Sequence, residues 1–163
     1  MSNYKTVFFI IGVLQIILGI FMAIPIFSQF IFSEIDSSFI TSSAITLVFG
    51  VLFVLSNLDY EKKINLKQAF LLTTLSWLTI AIFGSLPFYF SDLNISFTDS
   101  FFESMSGLTT TGSTIISNLE LAPKSVLLWR ALLQWLGGIG IIVMAITLTV
   151  SYTHLTLPTS DLV

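Results

Sequence analysis

The sequence predicts an all-α membrane protein with four transmembrane helices and one shorter, re-entrant helix that leads into a polar loop. Of its 163 residues, 55% are apolar and only 9% are charged, whereas soluble domains carry about 25% charged residues. So few charges would not cover a soluble surface, and the mean hydropathy of +0.96 agrees with a membrane protein. The third observation is an apolar run that is too short to cross a bilayer and lies between long ones.

Four apolar runs are long enough for transmembrane helices, which need about 20 residues. These runs are about Val7–Phe30, Phe39–Leu58, Ala69–Phe90 and Ser125–Val150. We expect Pro25 to kink or end the first helix near the outer face, and Pro87 lies near the end of the third. Gly137, Gly138 and Gly140 lie near the middle of the fourth, where glycines permit close helix contact or a bend used in gating.

The first run follows Lys5, as the apolar region of a secretory signal would. Taken as far as Phe32 it has about 26 residues, whereas the apolar region of a signal has ~7–15 residues. No clear small-residue cleavage site follows it. We therefore expect this run to be retained as a membrane span.

The short apolar run is Phe97–Ser106, about ten residues or roughly 15 Å as a helix, which reaches only halfway through a bilayer. Two pairs at its start have capping-box spacing, and they are Ser96 with Asp99 and Ser100 with Glu103. Gly107 lies where a C-terminal cap is expected. A half-length helix followed by a polar loop predicts a re-entrant hairpin. The alternative is an amphipathic helix that lies on the membrane surface.

The lysines predict the orientation of the chain in the membrane. The loop Asp59–Lys67 contains Lys62, Lys63 and Lys67. The loops Ser33–Ser38 and Ser91–Asp99 contain acidic residues but neither Lys nor Arg. Because cytoplasmic loops carry the excess of positive charge, we expect both termini in the cytoplasm, both acidic loops outside and a hairpin that enters from the outside. Lys124, which would lie outside, departs from the rule.

The loop after the short helix is rich in hydroxyl groups and contains one glycine, and its residues are Thr109, Thr110, Thr111, Gly112 and Ser113. The helix would direct its partly negative C-terminal end toward the loop, which favours a cation there. Gly112 readily takes a positive φ, which allows successive carbonyl groups to face one way. Carbonyl and hydroxyl oxygens without carboxylates suit a weakly hydrated monovalent ion, since divalent sites usually contain Asp or Glu.

Two charged residues lie within or beside the predicted membrane segments. Glu103 belongs to the short helix, and Arg130 lies about six residues into the fourth span. Charges inside a membrane are rare and usually find partners, so one hypothesis is that the two pair and hold the short helix against the fourth span. Alternatively, Arg130 extends to the outer interface, or Glu103 attracts cations at the mouth of a path.

Several functional classes find no support in the sequence. The chain has no cysteine, which excludes disulfides and thiolate sites, and its Lys and Arg form no stripe for nucleic acid. The spacing Gly107–Thr114 resembles a phosphate-binding loop, but Ser113 stands where the lysine is required. His154, the single histidine, has no partner for catalysis. We therefore expect neither an enzyme nor a cofactor.

Four stretches of the sequence resemble those of a known protein family. The relevant stretches are FFESMSGLTTTGST at Phe101–Thr114, Leu128-Trp129-Arg130, Gln134-Trp135 and GGIGIIVM at Gly137–Met144. Together they closely resemble the first membrane-pore-membrane repeat of the Trk/Ktr/HKT potassium-transporter superfamily, and in particular its Trk-type membrane subunits. The resemblance extends over about Met1–Thr147. It implies two additional N-terminal transmembrane helices in residues 1–66 and one repeat in residues 67–150. Residues 151–163 change abruptly to a Thr- and Ser-rich stretch, which we interpret as a non-native tail.

The resemblance implies potassium uptake across the plasma membrane, which is the inner membrane in bacteria. It implies four repeats around a pseudo-fourfold pore, in which Thr110 and Thr111 match K⁺-coordinating positions, Gly112 matches the filter glycine, and Thr109 and Ser113 flank them. It also implies a homodimer and a cytosolic, nucleotide-binding regulatory subunit that is TrkA-like. Because one repeat is present, we expect a fragment. The alternatives are a short pore subunit that forms homo-oligomers and a non-conducting membrane scaffold or sensor.

Overall fold

The computed structural model describes residues 4–34, 36–60, 64–117 and 119–155, of which residue 66 and residues 143–155 are described by their backbone alone. The described residues form six α-helices and a short 3₁₀ turn, Leu119–Leu121, without a strand. The helices are α1 (Lys5–Phe21), α2 (Ala23–Phe32), α3 (Ser38–Ser56), α4 (Leu66–Phe90), α5 (Phe97–Leu108) and α6 (Lys124–Leu155). The predicted all-α class is confirmed.

Four helical segments are long and apolar enough to cross a membrane. They are Lys5–Phe32, Ser38–Ser56, Lys67–Phe90 and Lys124–Ile142, which confirms the four predicted spans. The last helix continues to Leu155, five residues beyond its predicted end and into the stretch interpreted as a tail. Residues 156–163 of that stretch lie outside the described residues, as do Lys62 and Lys63 of the predicted cytoplasmic loop.

The first span is interrupted at Met22, which separates α1 from α2. Pro25 has no N–H group, so the carbonyl of Phe21 loses the donor that a continuous helix would supply. The helical segments on either side of Met22 are therefore two elements of one span. The break lies three residues before Pro25, and helix α2 continues to Phe32, so the proline does not end the helix.

The helices α1 and α3 pack with their backbones in contact. A Cβ atom added at Gly12 would lie 2.9 Å from the carbonyl oxygen of Gly50, and one added at Gly50 would lie 3.0 Å from the carbonyl oxygen of Gly12. Small residues permit such approach between membrane helices, where packing replaces the hydrophobic effect as the driving force. These two glycines were not singled out from the sequence.

Trp129 anchors α6 in the core. Its side chain is fully buried, and its indole N–H donates to the carbonyl oxygen of Gly84 in α4 at 2.9 Å. Its ring meets the ring of Phe39 in α3 edge to face, with 6.2 Å between centroids. A buried indole requires a hydrogen-bond acceptor, and here that acceptor fixes the position of α6 relative to α4.

The start of α6 is capped by a residue that lies 90 positions earlier in the chain. Glu34, which follows α2, accepts hydrogen bonds from the backbone N–H of Lys124 at 2.6 Å and from the hydroxyl of Ser125 at 2.6 Å. It also accepts from the backbone N–H of Ser125 at 3.2 Å. A carboxylate at a helix N-terminus satisfies free N–H groups and complements the helix dipole. The contact ties the α2–α3 connection to α6.

This cap predicts a pH-dependent contribution to stability. Burial raises the pKa of Glu34, but hydrogen bonds from Ser125 and Lys124 and the charge of Lys124 outweigh it, so the pKa lies below its ordinary value. A lowered folded pKa gives stability that is fully present above the unfolded pKa of about 4.3 and is lost as the pH falls through the folded pKa.

We expect Glu34→Gln to lower the unfolding temperature in detergent at neutral pH. The difference from the wild type should shrink as the pH falls below about 4.3. Thermal unfolding across this range measures the effect. The control is Glu120→Gln, because Glu120 is exposed and makes no hydrogen bond through its side chain within the described part of the chain. Equal profiles for wild type and Glu34→Gln would contradict the assignment.

Candidate functional site

The short helix α5 starts as its capping signal predicts. The hydroxyl of Ser96 accepts from the N–H of Asp99 at 3.1 Å, and the carboxylate of Asp99 accepts from the N–H of Ser96 at 3.3 Å. The second predicted pair, Ser100 with Glu103, is wrong as a cap. Because α5 already begins at Phe97, Ser100 lies inside the helix and donates to the carbonyl of Ser96 at 2.9 Å.

The predicted C-terminal cap at Gly107 is also wrong. Gly107 lies inside α5, where an added Cβ atom would lie 3.1 Å from the Cβ atom of Leu133, so this glycine permits close packing against α6. The left-handed residue is Thr110, with φ of 58°. The N–H of Thr110 donates to the carbonyl of Gly107 at 2.9 Å, and the N–H of Thr111 donates to the carbonyl of Ser106 at 3.0 Å. This pair of bonds is a Schellman motif.

A threonine in the left-handed region is unusual. Glycine commonly occupies this position of the motif because a Cβ atom makes the conformation unfavourable, and a β-branched residue there is an outlier. Such strain costs on the order of 1–3 kcal/mol and is found at functional sites. This conformation was not predicted at Thr110, since Gly112 was the residue expected to take positive φ. Gly112 does so as well, with φ of 78°.

The backbone of the loop is held by its N–H groups. Besides those of Thr110 and Thr111, the N–H of Thr109 donates to the carbonyl of Met105 at 2.8 Å, and that of Gly112 donates to the carbonyl of Ser106 at 3.4 Å. Four successive N–H groups thus turn back onto the end of α5. Among the described residues, no donor meets the carbonyl oxygens of Thr110, Thr111 or Gly112, and all three residues are exposed.

The hydroxyl groups of the loop also brace it. Thr109 Oγ1 donates to the carbonyl of Met105 at 2.8 Å and lies 2.8 Å from Thr111 Oγ1. A threonine hydroxyl has one hydrogen, and that of Thr109 is already donated. Thr111 is therefore the donor in this pair, and its hydroxyl group donates to Thr109 Oγ1.

Glu103 joins α5, the loop and α6. Its side chain is fully buried, and Oε1 accepts from the hydroxyl of Thr114 at 2.5 Å and from the N–H of Ile115 at 2.6 Å. Its Oε2 lies 3.0 Å from Arg130 Nε, whose side chain is 13% exposed. Because Oε2 has no hydrogen-bond partner among the described residues, the contact is an ion pair rather than an aligned hydrogen bond. The structure thus brings together the two charged residues that the sequence singled out.

The end of α5 meets the middle of α6. A Cβ atom added at Gly137 would lie 1.7 Å from the carbonyl oxygen of Leu108, the last residue of α5. One added at Gly138 would come no closer than 3.9 Å to Thr110, and one added at Gly140 would meet nothing within 4 Å. Of the three glycines in this span, only Gly137 permits an approach that no side chain would allow.

The comparisons with known proteins agree with this architecture. The family model "TrkH: Cation transport protein" matches residues 35–153. The chain is 44% identical over 140 residues to the Trk system potassium uptake protein TrkI of Halomonas elongata, covering 85% of this chain and 28% of that protein. It is 38% identical over 135 residues to an uncharacterized cation transporter of Methanocaldococcus jannaschii, covering 82% of this chain and 28% of that protein.

A solved structure matches as well. The crystal structure of the potassium transporter TrkH from Vibrio parahaemolyticus superimposes with a TM-score of 0.86 at 35% identity, and the match covers 90% of this chain and 32% of that chain. The chain therefore spans about three tenths of the length of the relatives it matches. The family consists of cation transporters rather than enzymes. The chain belongs to the TrkH family of cation transport proteins.

Proposed function

We propose that this chain contributes one segment of a potassium-selective filter to a Trk-type uptake system in the plasma membrane, the inner membrane in bacteria. The proposal is supported above all by the carbonyl oxygens of Thr110, Thr111 and Gly112. They are exposed and accept no hydrogen bond within the described chain, while the N–H groups of the same residues are bound to α5. The names of its relatives, which are potassium uptake proteins, supply the choice of ion.

The chemistry of the segment suits a dehydrated monovalent cation. The C-terminal end of α5 carries a partial negative charge of roughly half an elementary charge, and the carbonyl groups beyond it replace water around the ion. No carboxylate lies in the loop, which disfavours a divalent ion. We assign K⁺ to the oxygens of Thr110 and Thr111, with Thr109 and Ser113 flanking them. The ion then moves down its electrochemical gradient.

We propose that α5 and its loop form a re-entrant hairpin in a repeat that occupies residues 67–150, after two helices in residues 1–66. One span separates the N-terminus from Glu34, and three spans separate it from the end of α4, so Glu34 and the end of α4 would lie on the same side of the membrane. The contact of Glu34 with Lys124 supports a start of α6 on that side too. Leu108 meets Gly137, about 13 residues or roughly 20 Å along α6. This depth supports a re-entrant hairpin over a helix on the membrane surface. The lysine rule then assigns the N-terminus to the cytoplasm.

One loop offers oxygens to only one side of an ion, so a closed cage requires further loops. We propose that equivalent repeats of a Trk-type subunit provide them, within a homodimer that binds a TrkA-like, nucleotide-binding cytosolic subunit. The alternative source is further copies of this chain. Ion flux from the 163-residue chain alone, with a dependence on its concentration, would favour the copies. Absence of flux from this chain, with flux from the complete protein that carries it, would favour the repeats.

The test of the proposal is Gly112→Ala in the complete protein, reconstituted in liposomes. An added Cβ atom has space, since it meets only Gln134 Nε2 at 3.7 Å, but a positive φ costs a residue with a Cβ atom roughly 1–2 kcal/mol. We expect potassium flux to fall about tenfold, because the loop carbonyl groups would turn away from the ion. Gly140→Ala is the control and should keep its flux. A flux that is unchanged by Gly112→Ala would contradict the role of this loop as a filter and would favour a non-conducting membrane scaffold or sensor.

A further inference from the structure

Ser106 forms hydrogen bonds with the loop backbone both before and after the turn at Gly112. Its backbone carbonyl accepts from the N–H groups of Thr111 at 3.0 Å and Gly112 at 3.4 Å, while its hydroxyl donates to the carbonyl of Ser113 at 2.7 Å. Ser106 is 5% exposed, so water offers little competition for these bonds. One residue at the end of α5 therefore fixes the backbone just before and just after the sharp turn at Gly112.

The carbonyl of Ser113 differs from those before it. It receives the hydroxyl of Ser106 and lies 3.5 Å from Arg130 Nη2, whereas no donor within the described chain meets the carbonyls of Thr110, Thr111 or Gly112. The change from unbound to bound carbonyls falls at Gly112, where φ is positive. Donors from α5 and α6 thus bind the Ser113 carbonyl, while the three carbonyls before it have none within the described chain.

We propose that the Ser106 hydroxyl is a positioning group that sets the direction of the filter carbonyls, and that the Ser113 carbonyl is a framework oxygen rather than a potassium ligand. This inference rests on the proposed function. It deepens that function by assigning selectivity to a partly buried hydrogen bond made by a residue outside the ion-binding positions. Without the hydroxyl, the Ser113 carbonyl keeps only the longer contact with Arg130 Nη2 at 3.5 Å, so it can turn toward the ion and alter the spacing of the oxygens.

The chain offers a matched control two residues away. Ser104 is also in α5 and fully buried, but its hydroxyl has no hydrogen-bond partner in the part of the chain that the structure describes. Ser104→Ala and Ser106→Ala thus remove the same atom from the same helix in similarly buried positions. Only the second removes a hydrogen bond to the loop.

The experiment measures the ratio of K⁺ to Na⁺ permeability from reversal potentials, in liposomes that contain the complete protein. We expect Ser106→Ala to lower this ratio about tenfold, equivalent to ~1.4 kcal/mol, while Ser104→Ala leaves it unchanged. Ser106→Thr keeps a hydroxyl and should keep most of the selectivity. Ser106→Cys, whose thiol is a weak donor, should give an intermediate ratio and serves if the alanine variant does not fold.

The outcomes separate the two proposals. If Gly112→Ala lowers the flux while Ser106→Ala, or Ser106→Cys in its place, keeps the wild-type permeability ratio, the role of Ser106 is overturned and the filter stands. If Gly112→Ala leaves the flux unchanged, the proposed function is wrong, and the positioning role of Ser106 is wrong as well. Equal losses of selectivity in Ser104→Ala and Ser106→Ala would indicate a packing effect and would also overturn the role of Ser106.

Discussion

Gly137→Ala is expected to reduce potassium flux through the complete protein roughly ten- to a hundredfold and to lower its unfolding temperature. The added Cβ atom would lie 1.7 Å from the carbonyl oxygen and 2.7 Å from the carbonyl carbon of Leu108. Both are backbone atoms, so no side-chain rotation relieves the overlap. Helices α5 and α6 must separate, and overpacking of this kind costs about 1–3 kcal/mol or more. Because Leu108 directly precedes Thr109, the displacement passes into the loop.

The neighbouring glycines are the controls for this experiment. An added Cβ atom at Gly138 makes an ordinary contact of 3.9 Å with Thr110, and one at Gly140 contacts nothing within 4 Å. Gly138→Ala and Gly140→Ala should therefore retain stability, and Gly140→Ala should retain full flux. Flux assays in liposomes and thermal unfolding in detergent measure both effects. A Gly137→Ala variant with wild-type flux and stability would show that α5 and α6 do not meet in this way.

Arg130→Ala is expected to destabilise the protein by about 3–5 kcal/mol, the second large effect. It would leave the fully buried carboxylate of Glu103 without the guanidinium that lies 3.0 Å from it. Breaking one partner of a buried pair is costly because an uncompensated charge remains. Since Glu103 also binds Thr114 and Ile115, the loop should lose order together with stability.

A double-mutant cycle separates the ion pair from simple loss of packing. Glu103→Gln removes the charge but retains an oxygen for Thr114 and Ile115, so we expect it to cost less than Arg130→Ala. The combination of Glu103→Gln with Arg130→Ala should be more stable than the sum of the single effects predicts. Lys67→Ala deletes an exposed positive charge and should change little. Additive effects of the two substitutions in the pair would rule out an energetic coupling.

Features that depend on neighbours along the chain were predictable from the sequence. The lengths of the apolar runs gave the four spans, and the pair Ser96–Asp99 gave the start of α5. The disruption at Pro25 follows from its missing N–H group. The cap and the proline effect depend on atoms within about one helical turn, and each span depends on one continuous run of about 20 residues, so neighbouring residues decide all three.

Of the features that depend on distant residues, the pairing of Glu103 with Arg130 was among the hypotheses, but others were not predictable. The contact of Glu34 with the start of α6 joins positions 90 apart, and no local signal marks it. Gly107 carries the signal of a cap, but the approach of Leu133 uses it for packing. Thr110 therefore occupies the left-handed position of the Schellman motif. The surrounding hydrogen bonds hold it there, although threonine itself disfavours this conformation.

If the loop oxygens of this chain bind a dehydrated alkali cation, crystals of the complete protein grown with Rb⁺ or Tl⁺ in place of K⁺ should locate it, because these ions scatter anomalously. We predict a peak coordinated by the carbonyl oxygens of Thr110 and Thr111. Heavy cations bound elsewhere, with these two carbonyls hydrogen-bonded to neighbouring protein groups, would contradict it.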